Sequence, residues 1–109
     1  MDIVEYEDDG GGHPFSKWFG KLKAPAALKV RTAIARMETG NLGDVKPVGQ
    51  GVSECRLAHG PGYRIYFGRD GETLVILLGG SSKKDQARAI ATAKEHWKTY
   101  KARKKKGEV

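Results

Sequence analysis

Cys55 is the only cysteine among 109 residues. An internal disulfide framework is therefore excluded, and the composition fits a reducing compartment. Neither Cys55 nor the three histidines, His13, His59 and His96, cluster at the spacing of a zinc site, so no metal site is expected. No apolar run nears the ~20 residues of a membrane span. The N-terminus also lacks the cations followed by an apolar stretch that mark a secretory signal. A cytoplasmic protein without membrane contact is expected. Acidic residues are scarce as well: 13 Asp and Glu against 20 Lys and Arg leave a net charge of +7. Such a surface favours anionic partners, with nucleic acid foremost. The Gly79-Gly80-Ser81-Ser82-Lys83 run lacks P-loop spacing. Neither paired carboxylates nor a nucleophile–base pair points to a glycosidase or a protease.

What the chain does contain reads as one α+β domain over residues 1–109, in the order β-α-α-β-β-β-α. Ile3–Tyr6 is a short β-prone run, followed by the acidic and glycine-rich loop of residues 7–12. Phe15, Trp18, Phe19 and Leu22 recur at helical spacing, and Pro25 suits the first turn of a second helix. On that second helix Ala27, Val30, Ile34 and Met37 form one face, with Lys29, Arg31 and Arg36 mostly away from it. Gly40 is a stop signal, so the two helices read as an αα-hairpin with an apolar and a basic side. Residues 41–51 are turn-rich, and Pro47 there belongs to a sheet edge or a loop.

A mostly antiparallel meander follows: Val52–Leu57, Tyr63–Phe67 and Leu74–Leu78, the last two joined by a turn at Asp70-Gly71. Leu74–Leu78 is apolar on both faces, the pattern of a central strand. Ile90, Ala93, Trp97 and Tyr100 then mark a long C-terminal helix from near Lys83 to about Arg103. Residues 101–109 read as a basic tail that frays.

Alternation sets the chemistry. Cys55, Leu57, Tyr63, Ile65 and Phe67 face the helices, which puts Arg56 and Arg64 together on an opposite, open face. Guanidinium groups stay charged and bind phosphate bidentately, so such a pair can grip one phosphodiester. Arginines on a sheet can equally aid solubility or pair with Glu54. His59, in the loop beside Arg64, is the natural candidate for proton transfer. Lys83 and Lys84 open the last helix, where lysine is electrostatically unfavourable unless an anion docks there. Tyr66 can stack on a base or simply cover the sheet, and Lys84, Arg31 and Arg36 are further candidates for RNA binding.

Four segments carry a family resemblance: residues 36–44, Gly51–Leu57, Gly60–Phe67 and Leu77–Gln86. With the element order, they make the chain similar to the RelE/ParE toxin superfamily, and more narrowly to phage-derived addiction-module killer proteins of the HigB-like type. The resemblance implies a small RelE-like domain and a ribosome-dependent mRNA endonuclease that needs no metal or small-molecule cofactor. Its implied partners are mRNA, the ribosome and a cognate antitoxin of helix-turn-helix type. By motif, Arg64 of Gly62-Tyr63-Arg64 matches the key phosphate-binding arginine, Arg56 a basic position on the preceding strand, and Lys83 the basic position after the last strand. His59 stands where a HigB-type histidine is needed. The chain departs from the pattern at Glu54, where RelE-type enzymes carry a second lysine, and has no secure counterpart of their late tyrosine. The general base is left open. So are two alternatives, a ParE-like toxin acting on DNA gyrase and a non-toxic basic nucleic-acid-binding module.

Overall fold

The computed structural model describes residues 1–109, which form an α+β fold around one five-stranded sheet. The strands are β1 (Asp2–Glu5), β2 (Asp44–Gly49), β3 (Val52–Leu57), β4 (Tyr63–Asp70) and β5 (Leu74–Ser81). Their spatial order is β1-β5-β4-β3-β2, antiparallel throughout except for β1, which runs parallel to β5. Helices α1 (Pro14–Phe19) and α2 (Ala24–Glu38) lie between β1 and β2 in sequence, and α3 (Gln86–Lys105) follows a 3₁₀ turn at Lys83–Asp85.

The observed order is thus β-α-α-β-β-β-β-α, with one strand more than expected. The turn-rich stretch holds β2, and Pro47 sits within it on the outer edge of the sheet, where a missing N–H breaks no ladder. Gln50 and Gly51, at φ 56° and 84°, form the two-residue turn between β2 and β3. Two successive positive φ values give the turn twist that suits a tight hairpin. The C-terminal helix also runs past Arg103 to Lys105, so much of the expected frayed tail is helical.

Local chemistry accounts for the helix ends. Pro14 occupies the first turn of α1, and the Glu5 carboxylate accepts from the Ser16 N–H (3.0 Å) and hydroxyl (2.7 Å), pinning α1 to the end of β1. Gly40 takes φ +92° after α2, with Gly40 N–H donating to Met37 O and Asn41 N–H to Arg36 O. That pair of bonds is a Schellman termination. The buried stripe of α2 is Ala26, Val30, Ala33 and Met37, slightly rotated from the Ala27/Ile34 face that the spacing suggested.

Two cores result, one on each side of the sheet. Phe15, Val30, Met37, Cys55, Ile65, Phe67 and Leu77 fill the side under α1 and α2. Tyr6, Val52, Tyr66, Ile76, Leu78, Ala93, Trp97 and Tyr100 fill the side under α3. Burying a side chain such as Ile65 or Phe67 contributes about 2 kcal/mol. β4 and β5 are central strands, as the apolar run Leu74–Leu78 implied. Alternation along β5 turns Ile76 and Leu78 toward α3, and a bulge at Leu78 falls between the pairs Phe67–Leu77 and Tyr66–Gly79.

Glycine permits the closest contacts. A Cβ on Gly68 would lie 2.5 Å from the Trp97 ring, and one on Gly80 would lie 2.3 Å from the Trp18 ring on the other face. At the far end of α3, Tyr100 Oη donates to Asp70 Oδ2 (2.7 Å) and Lys104 pairs with the same carboxylate. The Lys104 hydrogen bond, followed by that of Tyr100, holds the Asp70 carboxyl below its ordinary value.

Gly68→Ala is expected to cost about 2 kcal/mol by overpacking against Trp97, measured by urea unfolding followed through tryptophan fluorescence. Because the Asp70 carboxyl is depressed in the folded state, its contribution is complete above about pH 4 and declines as pH falls through the depressed value. An acid titration of stability should therefore be shallower in Asp70→Asn than in the parent.

Candidate functional site

Strand register brings the two arginines together. Arg56 on β3 lies directly opposite Arg64 on β4, and Arg64 lies opposite Ser81 on β5. Directly opposed residues have Cα atoms about 5 Å apart and share a face. The loop between β3 and β4 turns back through His59, with Gly62 N–H donating to His59 O at 3.1 Å. The 3₁₀ turn docks on this loop, Lys83 N–H reaching Pro61 O at 3.3 Å. A Cβ on Gly62 would lie 3.4 Å from Arg64 Nη1 and 3.6 Å from Lys83 Cβ, so Arg64 and Lys83 flank one bare glycine. Arg64, Arg56, Lys83 and the His59 loop thus form one neighbourhood.

That neighbourhood is not on an open face, however, because α3 crosses it. Tyr66, expected to stack on a base, is fully buried, and its hydroxyl lies 2.9 Å from Ser81 Oγ. Burial pushes the Tyr66 phenol up, with the Ser81 hydrogen bond opposing. A neutral hydroxyl buried in this way supports the core and offers no surface to a nucleobase. The apolar Ile76 and Leu78 on the neighbouring strand draw α3 over this face, which the polar pattern of β3 alone did not reveal.

Arg64 is also largely enclosed, with 11% of its side chain exposed. Its Nη1 donates to Gly62 O at 2.7 Å. Its Nε lies 3.7 Å from Glu54 Oε2, an ion-pair distance too long for a hydrogen bond, and is buried without an acceptor. Glu54, 1% exposed, instead accepts from Gln86 Nε2 at 3.1 Å and 3.4 Å. Gln86 is the first residue of α3, so the helix start holds a carboxylate that faces the arginine.

The other expected site residues are more accessible. Arg56 is 44% exposed and donates to Asp44 Oδ1 at 3.2 Å, a surface pair of small worth. His59 is half-buried and stacks on Tyr63, with ring centroids 6.3 Å apart. Lys83 and Lys84 are exposed side by side. Arg31 lies over the Phe19 ring at 5.5 Å, a cation–π contact. Arg36 is exposed on α2. Both therefore sit on the helix that covers the other side of the sheet, away from Lys84.

Sequence reasoning allowed Glu54 to pair with the sheet arginines, as it does with Arg64, but overlooked Gln86 and Ser81. The alternation that paired Arg56 with Arg64 also puts Glu54 on their face, so its link to Arg64 was available. Gln86 carries no comparable signal, because its contact spans 32 residues of sequence. Nor is Cys55 a nucleophile. Burial, followed by the Asp44 carboxylate, pushes its thiol up to about 11.

Arg64→Ala is not the neutral probe that an open face would make it. It strands the Glu54 carboxylate and is expected to cost about 3 kcal/mol, whereas Arg56→Ala should stay within about 0.5 kcal/mol of the parent. Paired urea denaturation curves check both values.

No family model matches the chain. An uncharacterized protein of Haemophilus influenzae is 42% identical over 81 residues, covering 73% of this chain and 82% of that protein. Among solved structures, a double arginine-to-alanine mutant of the E. coli toxin RelE in the free state superposes with a TM-score of 0.59. It covers 85% of this chain and 95% of the RelE chain at 17% identity. Identity that low speaks for the fold alone. The chain belongs to one family with the Haemophilus influenzae protein, and its fold is that of the RelE toxin.

Proposed function

We propose that this protein is the toxin of a toxin–antitoxin pair and cleaves mRNA on the ribosome. The observation that carries the reading is the cross-strand pair Arg56–Arg64 next to Lys83, set in a RelE fold. Arg64 and Lys83 flank Gly62 and Arg56 stands across from Arg64, and three such cations can hold a phosphodiester and stabilise the extra negative charge of a pentacoordinate transition state. In the proposed reaction a ribose 2′-hydroxyl gives up its proton to a base as its oxygen bonds to the adjacent phosphorus, and the bond to the 5′-oxygen breaks. The products are a 2′,3′-cyclic phosphate and a 5′-hydroxyl, to which a proton is delivered.

His59, in the loop next to Arg56 and Arg64, is the side chain suited to moving that proton. Glu54 is too enclosed to touch substrate and acts by orienting Arg64. A site with two arginines, a lysine and a shielded carboxylate fits a reaction whose alignment is completed by ribosome-bound mRNA. The net charge of +7 suits both that polyanion and an antitoxin that presents an acidic segment.

A second reading, a ParE-like inhibitor of DNA gyrase, draws on Glu54 in place of a lysine and on the burial of Tyr66. Induction of the chain without an antitoxin separates the readings. Growth arrest with mapped cuts in cellular transcripts supports the nuclease. Arrest with intact transcripts and linearised DNA supports the gyrase reading, and absence of arrest supports a non-toxic binding module. Within the first outcome, Arg56→Ala should lower transcript cutting about 100-fold while its unfolding curve remains that of the parent.

A further inference from the structure

β1 covers only half of its neighbour. Its residues Asp2–Glu5 pair with Leu74–Leu77, and the Tyr6 N–H donates to Leu77 O (2.9 Å) before the chain turns into the loop of residues 7–12. Leu78–Ser81, the rest of β5, therefore has β4 on one side and no strand on the other. Beyond the bulge, Gly79, Gly80 and Ser81 keep consecutive register with Tyr66, Ile65 and Arg64, so their free side has the regular spacing of a strand. An unpaired edge of this kind is a template for another chain unless charge, proline or a covering element guards it. Outer strand β2 carries Lys46 and Pro47, and β1 carries Asp2 and Glu5. Leu78–Ser81 carries neither a charge nor a proline.

This free edge is the floor of an open groove of about 370 Å³. Pro14 and Trp18 of α1 wall it on one face of the sheet, and Arg88 and Thr92 of α3 wall it on the other. Trp18 is half-buried over Gly80, while Arg88 and Thr92 are exposed. Arg88 has no acidic group within 4 Å. Lys83 and Lys84 stand exposed just past Ser82 at the end of the groove, and Asp85 is the one carboxylate in the lining. We propose that the groove takes an extended, acidic segment of a partner protein, which adds to β5 as a strand in line with β1. Main-chain hydrogen bonds to an open edge give such a complex its affinity, and alternate side chains give its specificity. Successive side chains of an added strand point to opposite faces of the sheet. Apolar ones then meet Pro14 and Trp18, and acidic ones meet Arg88 and, at the end, the lysines. Leu78–Ser81 spans about 13 Å at ~3.3 Å per residue, room for about four residues of the partner. A nucleotide would satisfy the cations but would leave the peptide edge unpaired. Neither Arg56, His59 nor Arg64 lines the groove, so the proposal goes beyond the nuclease reading and does not depend on it.

The test is an NMR titration of the full chain with an end-blocked octapeptide of alternating Val and Glu. Saturable shifts at the Gly79, Gly80 and Ser81 amides are expected. A Val/Lys counterpart should bind about tenfold more weakly. Arg88→Glu, at an exposed position, should narrow that difference while the rest of the spectrum stays folded. N-methylation of every peptide N–H should abolish binding, because an added strand needs those donors. No shifts at millimolar peptide would overturn the proposal. So would equal binding of the Val/Lys peptide, or undiminished binding of the N-methylated one. An RNA octamer that shifts the same amides more strongly would give the groove to nucleic acid instead, and shifts of these amides on dilution of the chain alone would give it to a second copy; either overturns the proposal. Transcript cutting without peptide binding removes the strand site and leaves the nuclease reading. Peptide binding in a chain that cuts no transcript removes the nuclease reading and leaves the strand site.

Discussion

The seating of Trp97 on Gly68 is the contact on which the rest of the molecule depends. Trp97 is 6% exposed and rests on a strand position that has no side chain, where a Cβ would come within 2.5 Å of the ring. Gly51 gives way to the same indole from the β2–β3 turn. Tyr100 stacks on Trp97 with the rings 5.2 Å apart and almost parallel, and it anchors the helix to Asp70. Once α3 is seated, the sheet has a core on both sides, and a face otherwise open to water becomes interior.

This seating also sorts the cations by task. With α3 in place, Glu54 and Tyr66 are inside and Arg64 is largely so, while Arg56, Lys83 and Lys84 keep water contact. A buried carboxylate beside a guanidinium adds little net stability, since each charge gives up hydration. What the arrangement does provide is a fixed orientation. Arg64 is held by Gly62 O and faces Glu54, and Glu54 is held by Gln86 at the first residue of α3. The position of the helix and the aim of the arginine are therefore coupled through one side chain.

Charge outside this cluster is mostly free. Only Arg56, Arg64, Arg103 and Lys104 of the 20 basic residues lie within 4 Å of an acidic group, so most of the positive field faces solvent. Arg103 is a structural exception: it bonds Glu7 O and Asp9 and lies over Tyr6, tying the acidic N-terminal loop to the end of α3. The acidic loop of residues 7–12 is thereby docked on the C-terminal helix. Its contacts cross more than 90 residues, and no local pattern encodes them.

Local signals were enough for most of the elements. Helical spacing located α2 and α3, Gly40 marked the end of α2, and alternation with turn residues located β3, β4 and β5. The same alternation put Arg56 and Arg64 on one face, and the register makes them direct partners. The missing strand, β2, has Pro47 and glycine in a six-residue edge, a composition that reads as loop until β3 is there to pair with it. Three things were set only by tertiary structure: which side α3 covers, how far Arg64 is enclosed, and the contact of Gln86 with Glu54. Periodicity reports which residues share a face, because it follows from backbone geometry alone. Whether that face meets water or another helix depends on packing between residues far apart in the chain, and only the folded chain decides it.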